Sequence, residues 1–590
     1  MLLNNLEKIN LLKTTFKKKI KKVVFVCPPD VDKLQFSYDV AKRKRYLNYP
    51  PYGLGLLAEK IKLKNVKSQI INLQNDVLRE AILSENEEKF DYDSVWKKSL
   101  ENLEADIFAL TCMFSQTHIS FQSVSNHLKQ QYPNVPQVAG GVHVTNAIVE
   151  TNTREKFYND LKDVNLFFLY EGDLAFLSFV ETINENKNQL FQVANREIGI
   201  IPEKAVPSKE DICVIPSWEL MPPNETSKWG KVGAFYFLKK EKPVTATVLA
   251  NRGCRAQCTF CSVRNFNGVG VRRRSVDSVI DELSMLKNDF GVNHIMWLDD
   301  DFLYDKKEAY NLFNKMIQKN INITWDCSNG VIAASCTEEL MDAAEKSGCL
   351  GLILGMESGN RKILKSIKKP GTVETFLKAA EVLKKYEKIH SRVFLMIGFP
   401  NETFAQIQDT LNVALEMNLD WYNIAPLQPL PNTPIYESML AQNLIDENKN
   451  FTDLKFNSGP TSRAADKKNK GRDLLSSDFK DIFLGKLSDI PDLKEIDLVW
   501  AYLNFHLNFK RLFDENREIK LDLNRKYLDH ISDKIAPDNA IAIFFSCYLD
   551  KKIEQKININ KIQTLEDILN KSPYWMKRFD DFKLDVESLK

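Results

Sequence analysis

Two long runs of alternating strand-like and helix-like segments, separated by a proline-studded stretch, constrain this chain more than any other feature. In the first run, KKVVFVC (21–27), VKSQIINL (66–73), ADIFALTC (105–112), PQVAGG (136–141) and NLFFLYEGD (165–173) read as short strands. GLGLLAEKIK (53–62), ISFQSVSNHLKQQY (119–132) and LAFLSFVETI (174–183) carry helical spacing between and after them. Such β-α-β alternation predicts an α/β, Rossmann-like, doubly wound parallel sheet whose ligand sits at the carboxyl ends of the strands. The second run holds VTATVLA (244–250), HIMWLDDDFLY (294–304), NITWDCSNG (322–330), LGLILGMESG (350–359), SRVFLMIGFP (391–400) and DWYNIAPLQP (420–429), interleaved with helices. Six such units fall short of the eight that close a barrel, which predicts a partial (β/α)6 TIM-type barrel with its chemistry at the carboxyl ends.

The expected organisation is an N-terminal extension (1–20), the Rossmann-like domain (21–190) and a linker (191–240) with Pro202, Pro207, Pro216, Pro222 and Pro223. The partial barrel (241–437) and a mainly helical C-terminal region (438–590) follow. Residues 448–473 are polar and read as a loop. In 496–513, Ile496, Val499, Trp500, Leu503 and Leu507 share one helical face, expected to pack on the barrel.

The first barrel strand runs into NRGCRAQCTFC, where Cys254, Cys258 and Cys261 stand in a C-x3-C-x2-C pattern with Phe260 before the third. Three thiolates this close can hold three irons of a cubane and leave the fourth open to a small molecule. Thiolates serve zinc as well. A structural zinc needs four ligands, and no further Cys or His follows at finger spacing. The other seven cysteines are scattered and read as small buried hydrophobes, with no second pair for an auxiliary cluster.

Composition removes several classes of function. Lys and Arg number 81 against 79 Asp and Glu, a formal charge of +2, so no nucleic-acid footprint is expected. The N-terminus lacks the uninterrupted apolar core of a signal peptide, and no stretch approaches a membrane span. Ten cysteines without a disulfide framework fit a reducing cytoplasm. Arg272 to Arg274 read as a solvated helix start, with Ser275 available as a cap.

With these motifs in view, the C-x3-C-x2-C run after a strand resembles the radical S-adenosylmethionine superfamily. The resemblance assigns Cys254, Cys258 and Cys261 to a 4Fe–4S cluster carrying S-adenosylmethionine on its fourth iron. It places Phe260 beside adenine, Asp299 or Asp300 of WLDDDF at the methionine amino group, and Glu357 and Ser358 of GMESGN near ribose or carboxylate. It brings the backbone of GFPNET, from Gly398, to adenine, and makes PLPNTP (429–434) the end of the barrel.

YPPYGLGLLAE (49–59), VAGGVHVT (138–145) and YEGD (170–173) resemble the cobalamin-binding domain that precedes the barrel in one branch of that superfamily. This branch includes class B methyltransferases and the anaerobic magnesium-protoporphyrin ester cyclase type. By that resemblance Gly53, Leu54, Thr111, Cys112, Gly140, Gly141, Glu171 and Gly172 line a cobalamin groove. The histidine of D-x-H-x-x-G that ligates cobalt in other cobalamin domains is replaced here by PPDVDKLQF, and His143 is read as a satisfied surface or groove histidine and not as a cobalt ligand.

The resemblance implies a cobalamin-dependent enzyme that methylates an unactivated carbon through a 5′-deoxyadenosyl radical. A radical cyclase or rearrangement with the same cofactors, and a non-catalytic cobalamin or redox sensor, remain alternatives. Transfer-RNA methylthiolation is disfavoured because a second cysteine triad is missing from the first domain. Expected partners are a small-molecule, lipid, tetrapyrrole or peptide substrate and an electron donor such as flavodoxin or ferredoxin. No catalytic residue beyond the cofactor set is legible.

Overall fold

The computed structural model describes residues 4–239, 242–445, 482–483 and 487–590. The loop expected over 448–473 lies outside the described residues. After an N-terminal helix, Asn5–Thr15, the first sheet is built from β1 (Lys22–Cys27), β2 (Lys67–Asn72), β3 (Ile107–Thr111), β4 (Gln137–Gly140) and β5 (Val164–Phe168). Two further strands, β6 (Val193–Asn195) and β7 (Gly199–Ile201), extend it. The order is β2-β1-β3-β4-β5-β6-β7, parallel through β5 and antiparallel for β6 and β7. Chain order reverses between β1 and β3, so the ligand crevice of such a sheet lies beyond their carboxyl ends.

Both faces of this sheet are buried, which explains its near-continuous apolar strands. Val24 and Val26 pack with Phe108, Phe121 and Val144 on one side. Val23 and Phe25 pack with Leu54, Phe176 and Phe179 on the other. The linker expected from residue 191 therefore differs in part: its first residues form the β6–β7 hairpin. Three-residue strands are too short to show a period.

The second sheet runs β8 (Thr245–Val248), β11 (His294–Trp297), β12 (Thr324–Val331), β13 (Cys349–Glu357), β14 (His390–Ile397) and β15 (Trp421–Pro426). β9 (Asn251–Arg252) and β10 (Arg272–Arg273) form a small antiparallel pair beside it. All six strands are parallel and lie in chain order, and β15 does not pair with β8. This is the open partial barrel that six βα units allow.

Its helices begin where capping chemistry puts them. Ser275 accepts a hydrogen bond from the Ser278 N–H at 3.1 Å, Asp305 caps Lys306–Gln318, and Thr403 and Gln406 form a capping box on Phe404–Met417.

The C-terminal helix Leu493–Asn504 lies against the barrel. Ile496, Val499, Leu503 and Leu507 are buried in the barrel core, and the Trp500 indole donates to the Ile424 carbonyl at 2.9 Å. The remaining helices gather around Phe544, Phe545 and Leu565 in a core of their own.

Candidate active site

The cysteine loop leaves the carboxyl end of β8 and is pinned on several sides. Gly253 has φ +88, and a Cβ there would stand 2.5 Å from the Gly270 carbonyl oxygen, so only glycine allows the turn into Cys254. Thr259 donates its N–H to Ile367 O at 2.9 Å and accepts from the Ile435 N–H at 3.0 Å. Arg255, inside the x3 gap, pairs with Asp301 at 2.9 Å and donates to Ser335 Oγ at 2.6 Å. All three cysteines are free and partly exposed.

Among the described residues no three Cys, His, Asp or Glu side chains converge as a single metal ion requires. A cubane makes no such demand, since each thiolate takes a separate iron. The donor set of three free thiols on one pinned loop therefore fits a cluster better than a structural zinc. Burial pushes the Cys254 and Cys261 thiols up to about 11 and raises Cys258 as well, while Lys369 lowers Cys258 and Cys261.

The three carboxylates after β11 have different fates. Asp299 is fully buried and accepts from the Ala250 N–H at 3.0 Å and the Asn251 N–H at 2.5 Å, stitching β11 to the start of the cysteine loop. Burial pushes its carboxyl up to about 7, with those two donors pulling the other way. Asp301 is fully buried on Arg255. Asp300 is partly exposed and takes one hydrogen bond, from Asn267 Nδ2 at 3.1 Å, and burial raises it to about 6.

Glu357 ends β13 with φ +70 and pairs with Lys369 at 2.8 Å. Burial would lower Lys369, but Glu357 and then Cys258 raise it. Its ammonium lies 5.8 Å from the Phe260 ring centroid. Phe260 packs against Ile363, Ile367, Phe399 and Ile435. These residues therefore gather on the cysteine loop. Ser358 does not join them: it is fully buried, and its hydroxyl is shared with Thr410 and the Asn360 N–H. The Gly398 N–H donates to Glu402 at 2.7 Å, and Glu402 is raised to about 7 by burial.

In the first domain, Thr111, Cys112, Gly140 and Gly141 meet at the ends of β3 and β4. Gly141 has φ +123, and a Cβ there would collide with the Cys112 carbonyl. Nothing lies within 4 Å of where a Gly53 Cβ would be. Met113 and Phe114 expose 48% and 40% of their surface just past β3, beside the reversal point. Leu54, expected to line a groove, is instead buried in the core, where it packs with Val23 and Phe176.

Cys112 is fully buried. His143 is buried, with Nε2 3.0 Å from His118 Nδ1, and His118 Nε2 lies 3.2 Å from Asp160. Asp30, after β1, was not singled out by the sequence; burial raises its carboxyl to about 7.

Glu171 and Gly172 lie at the junction of the two domains. Glu171 pairs with Arg252 at 3.1 Å and with Arg272, while Asp173 pairs with Arg252 at 2.8 Å. Against the burial that would raise it, Arg252 holds Asp173 below its usual range. Arg252 stands two residues before Cys254. Asn432 of the barrel's last loop donates to Asn146 O at 2.9 Å, on the helix that follows Gly141. The carboxyl ends of the two sheets thus face each other. The expected solvated start at Arg272 to Arg274 is corrected here: Arg272 joins this seam, and Arg274 is buried on Glu282. A charge run in sequence carries no sign of the acids it will meet.

Residues 248–414 match the family model described as the Radical SAM superfamily. This part of the chain is a radical SAM domain. The chain is 26% identical over 432 residues to an uncharacterized methyltransferase of Pyrococcus horikoshii, covering 72% of this chain and 85% of that one. It is 23% identical over 451 residues to the cytidylyl-2-hydroxyethylphosphonate methyltransferase of Streptomyces wedmorensis, covering 69% and 81%. Its fold is that of the cobalamin-dependent S-adenosylmethionine radical enzyme OxsB, solved with aqua-cobalamin and S-adenosylmethionine bound. The TM-score is 0.58 at 15% identity, covering 96% of this chain and 81% of that one.

Proposed function

We propose that this radical SAM enzyme is cobalamin-dependent and transfers a methyl group to an unactivated carbon. The carrying observation is that Arg252, two residues before Cys254, and Arg272 pair with Glu171 and Asp173 beyond β5, which brings the carboxyl ends of the two sheets to one seam. The methyltransferase relatives and the OxsB-like fold support the same reading. When bound, the cluster and cobalamin supply an electron for sulfonium cleavage and a transferable methyl group.

Cys254, Cys258 and Cys261 hold three irons. Asp300 takes the amino group of S-adenosylmethionine, because Asp299 and Asp301 are already committed to Ala250, Asn251 and Arg255. Phe260 and the Gly398 backbone flank adenine, and Glu357 is oriented by Lys369 toward the polar end of the ligand. Ser358 shapes the turn beneath.

Thr111, Gly140 and Gly141, with Gly53, cradle the cobalamin tail, Cys112 and Leu54 back them from the core, and Glu171 and Gly172 close the groove at the seam. His143 is committed to His118, which supports cobalt without a histidine lower ligand from this chain. The substrate is a small molecule, lipid, tetrapyrrole or peptide, and flavodoxin or ferredoxin supplies electrons in a reducing cytoplasm.

The test is anaerobic reconstitution with iron, sulfide and hydroxocobalamin, followed by quantifying S-adenosylhomocysteine and 5′-deoxyadenosine. Equal formation of both supports methylation. 5′-Deoxyadenosine alone redirects the reading to cyclisation or rearrangement. If neither forms, the enzyme reading fails and a sensor is left.

A further inference from the structure

At the end of the barrel remote from the cysteine loop, a cavity of about 250 Å³ lies among three parts of the chain. Pro243 and Thr245, at the amino end of β8, mark its position. Its charged lining is Lys42, Arg43 and Lys44 from the first domain, Lys231 and Lys242 from the approach to β8, and Lys534 from the C-terminal helices. Among the described residues no carboxylate lines it. With 81 basic and 79 acidic residues in the chain, an all-cation lining is a local arrangement and not the background.

These charges are poorly compensated. Arg43 pairs with Asp39 at 2.6 Å. Lys44 donates to the Lys228 carbonyl at 3.0 Å, and Lys42 to the Ile82 and Ser84 carbonyls at 2.9 and 2.5 Å. Carbonyls orient an ammonium without neutralising it. Among the described residues the ammonium groups of Lys231, Lys242 and Lys534 have no hydrogen-bond or ion-pair partner. Burial and the neighbouring cations Lys242, Lys534 and Lys228 depress Lys44. Burial, Arg45 and Arg392 push Lys231 down to about 7. Burial and the cations around it, Lys231 first, push His530 down to about 3. Crowded like charges of this kind oppose folding until something of opposite sign enters.

We propose that this cavity binds a multiply charged phosphate, a diphosphate group in its best-fitting form, at a site separate from the chemistry. Several lysines converging on one small space match a compact anion with many acceptor oxygens, and a single carboxylate would leave most of them unmatched. The walls come from all three parts of the chain, so the bound anion ties the first domain, the barrel and the C-terminal helices together. Free pyrophosphate and the phosphate tail of a nucleotide offer the same group.

Calorimetric titration of the full reconstituted chain with inorganic pyrophosphate, phosphate and ATP, at constant ionic strength, tests the site. Saturable one-to-one binding of pyrophosphate, tighter than phosphate, is the expected result. ATP binding more tightly than pyrophosphate identifies a nucleotide source, and equal affinity identifies the phosphates alone. Lys231→Met and, at the exposed rim, Lys534→Gln should each weaken binding by about tenfold or more. Without anion, Lys231→Met should melt no lower than the parent, because it relieves repulsion; the pyrophosphate-induced rise in melting temperature should disappear. The proposal is overturned if pyrophosphate gives no saturable heat. It is equally overturned if both variants bind as the parent does, or if chloride at matched ionic strength stabilises equally.

Discussion

Asp299, Asp300 and Asp301 are neighbours in sequence and strangers in environment. Two backbone N–H groups hold the first, an arginine holds the third, and the middle one carries only an amide hydrogen bond. Asp300→Asn should therefore raise the KM for S-adenosylmethionine by about tenfold or more while leaving the melting temperature nearly unchanged. Asp299→Asn should lower stability and leave two buried N–H donors facing a poorer acceptor. Both outcomes are read by steady-state cleavage assays beside thermal melts.

Because burial raises Asp300 to about 6, it becomes protonated below that pH and would lose the hold on an ammonium proposed for it. The profile of kcat/KM for S-adenosylmethionine cleavage should fall on the acid side of about pH 6. Cys258→Ala should abolish cluster absorbance while the cobalamin spectrum persists, since the two groups would sit on different domains. The cysteine triad was legible because its ligands are close in sequence. The sorting of the three aspartates was not, because it depends on Ala250, Asn251 and Arg255 arriving from another strand end.

At the scale of elements, apolar periodicity announced all six barrel strands and the first five strands of the other sheet. The β6–β7 hairpin escaped because three residues make no pattern. The lower end of the barrel was equally hidden. There Lys520, from the C-terminal helix Glu518–His530, reaches Asp420 at 2.7 Å and the Ile389 carbonyl at 2.7 Å, with both side chains almost fully buried. Against the cost of burial, Lys520, His390 and Arg511 hold Asp420 well below the usual carboxylate range.

Lys520→Met would strand a buried charge and should cost about 3–5 kcal/mol in denaturant unfolding. The folded-state pKa of Asp420 is depressed, so its contribution is present above the unfolded value of about 3.9 and is lost as pH falls through and below it. Acid unfolding monitored by tryptophan fluorescence should show this loss in the parent and a weaker dependence in Lys520→Met. Gly141→Ala, forced into a glycine-only backbone region against Cys112, should cost about 2–3 kcal/mol and weaken cobalamin retention.

At the scale of the molecule, the proposed function rests on two carboxyl ends being brought together. Arg252 of the cysteine loop meets Asp173 across 79 positions of sequence, and Asn432 meets the helix after Gly141. A double-mutant cycle on Arg252→Met and Asp173→Asn should give a coupling of about 1–3 kcal/mol in thermal or chemical unfolding. The same pair should raise abortive 5′-deoxyadenosine over S-adenosylhomocysteine, since a loosened seam separates the two cofactor pockets without removing either.

By itself the amino-acid sequence determined the two α/β units, the cysteine loop and the family to which they point. These follow from periodicity and from spacings of a few residues, which local geometry converts directly into structure. The tertiary structure decided which aspartate stays available, that Glu171 joins a domain seam, and that a cavity lined by lysines opens at the far end of the barrel. Those properties are sums over residues from distant segments, and burial and charge at a point are set only when the segments meet.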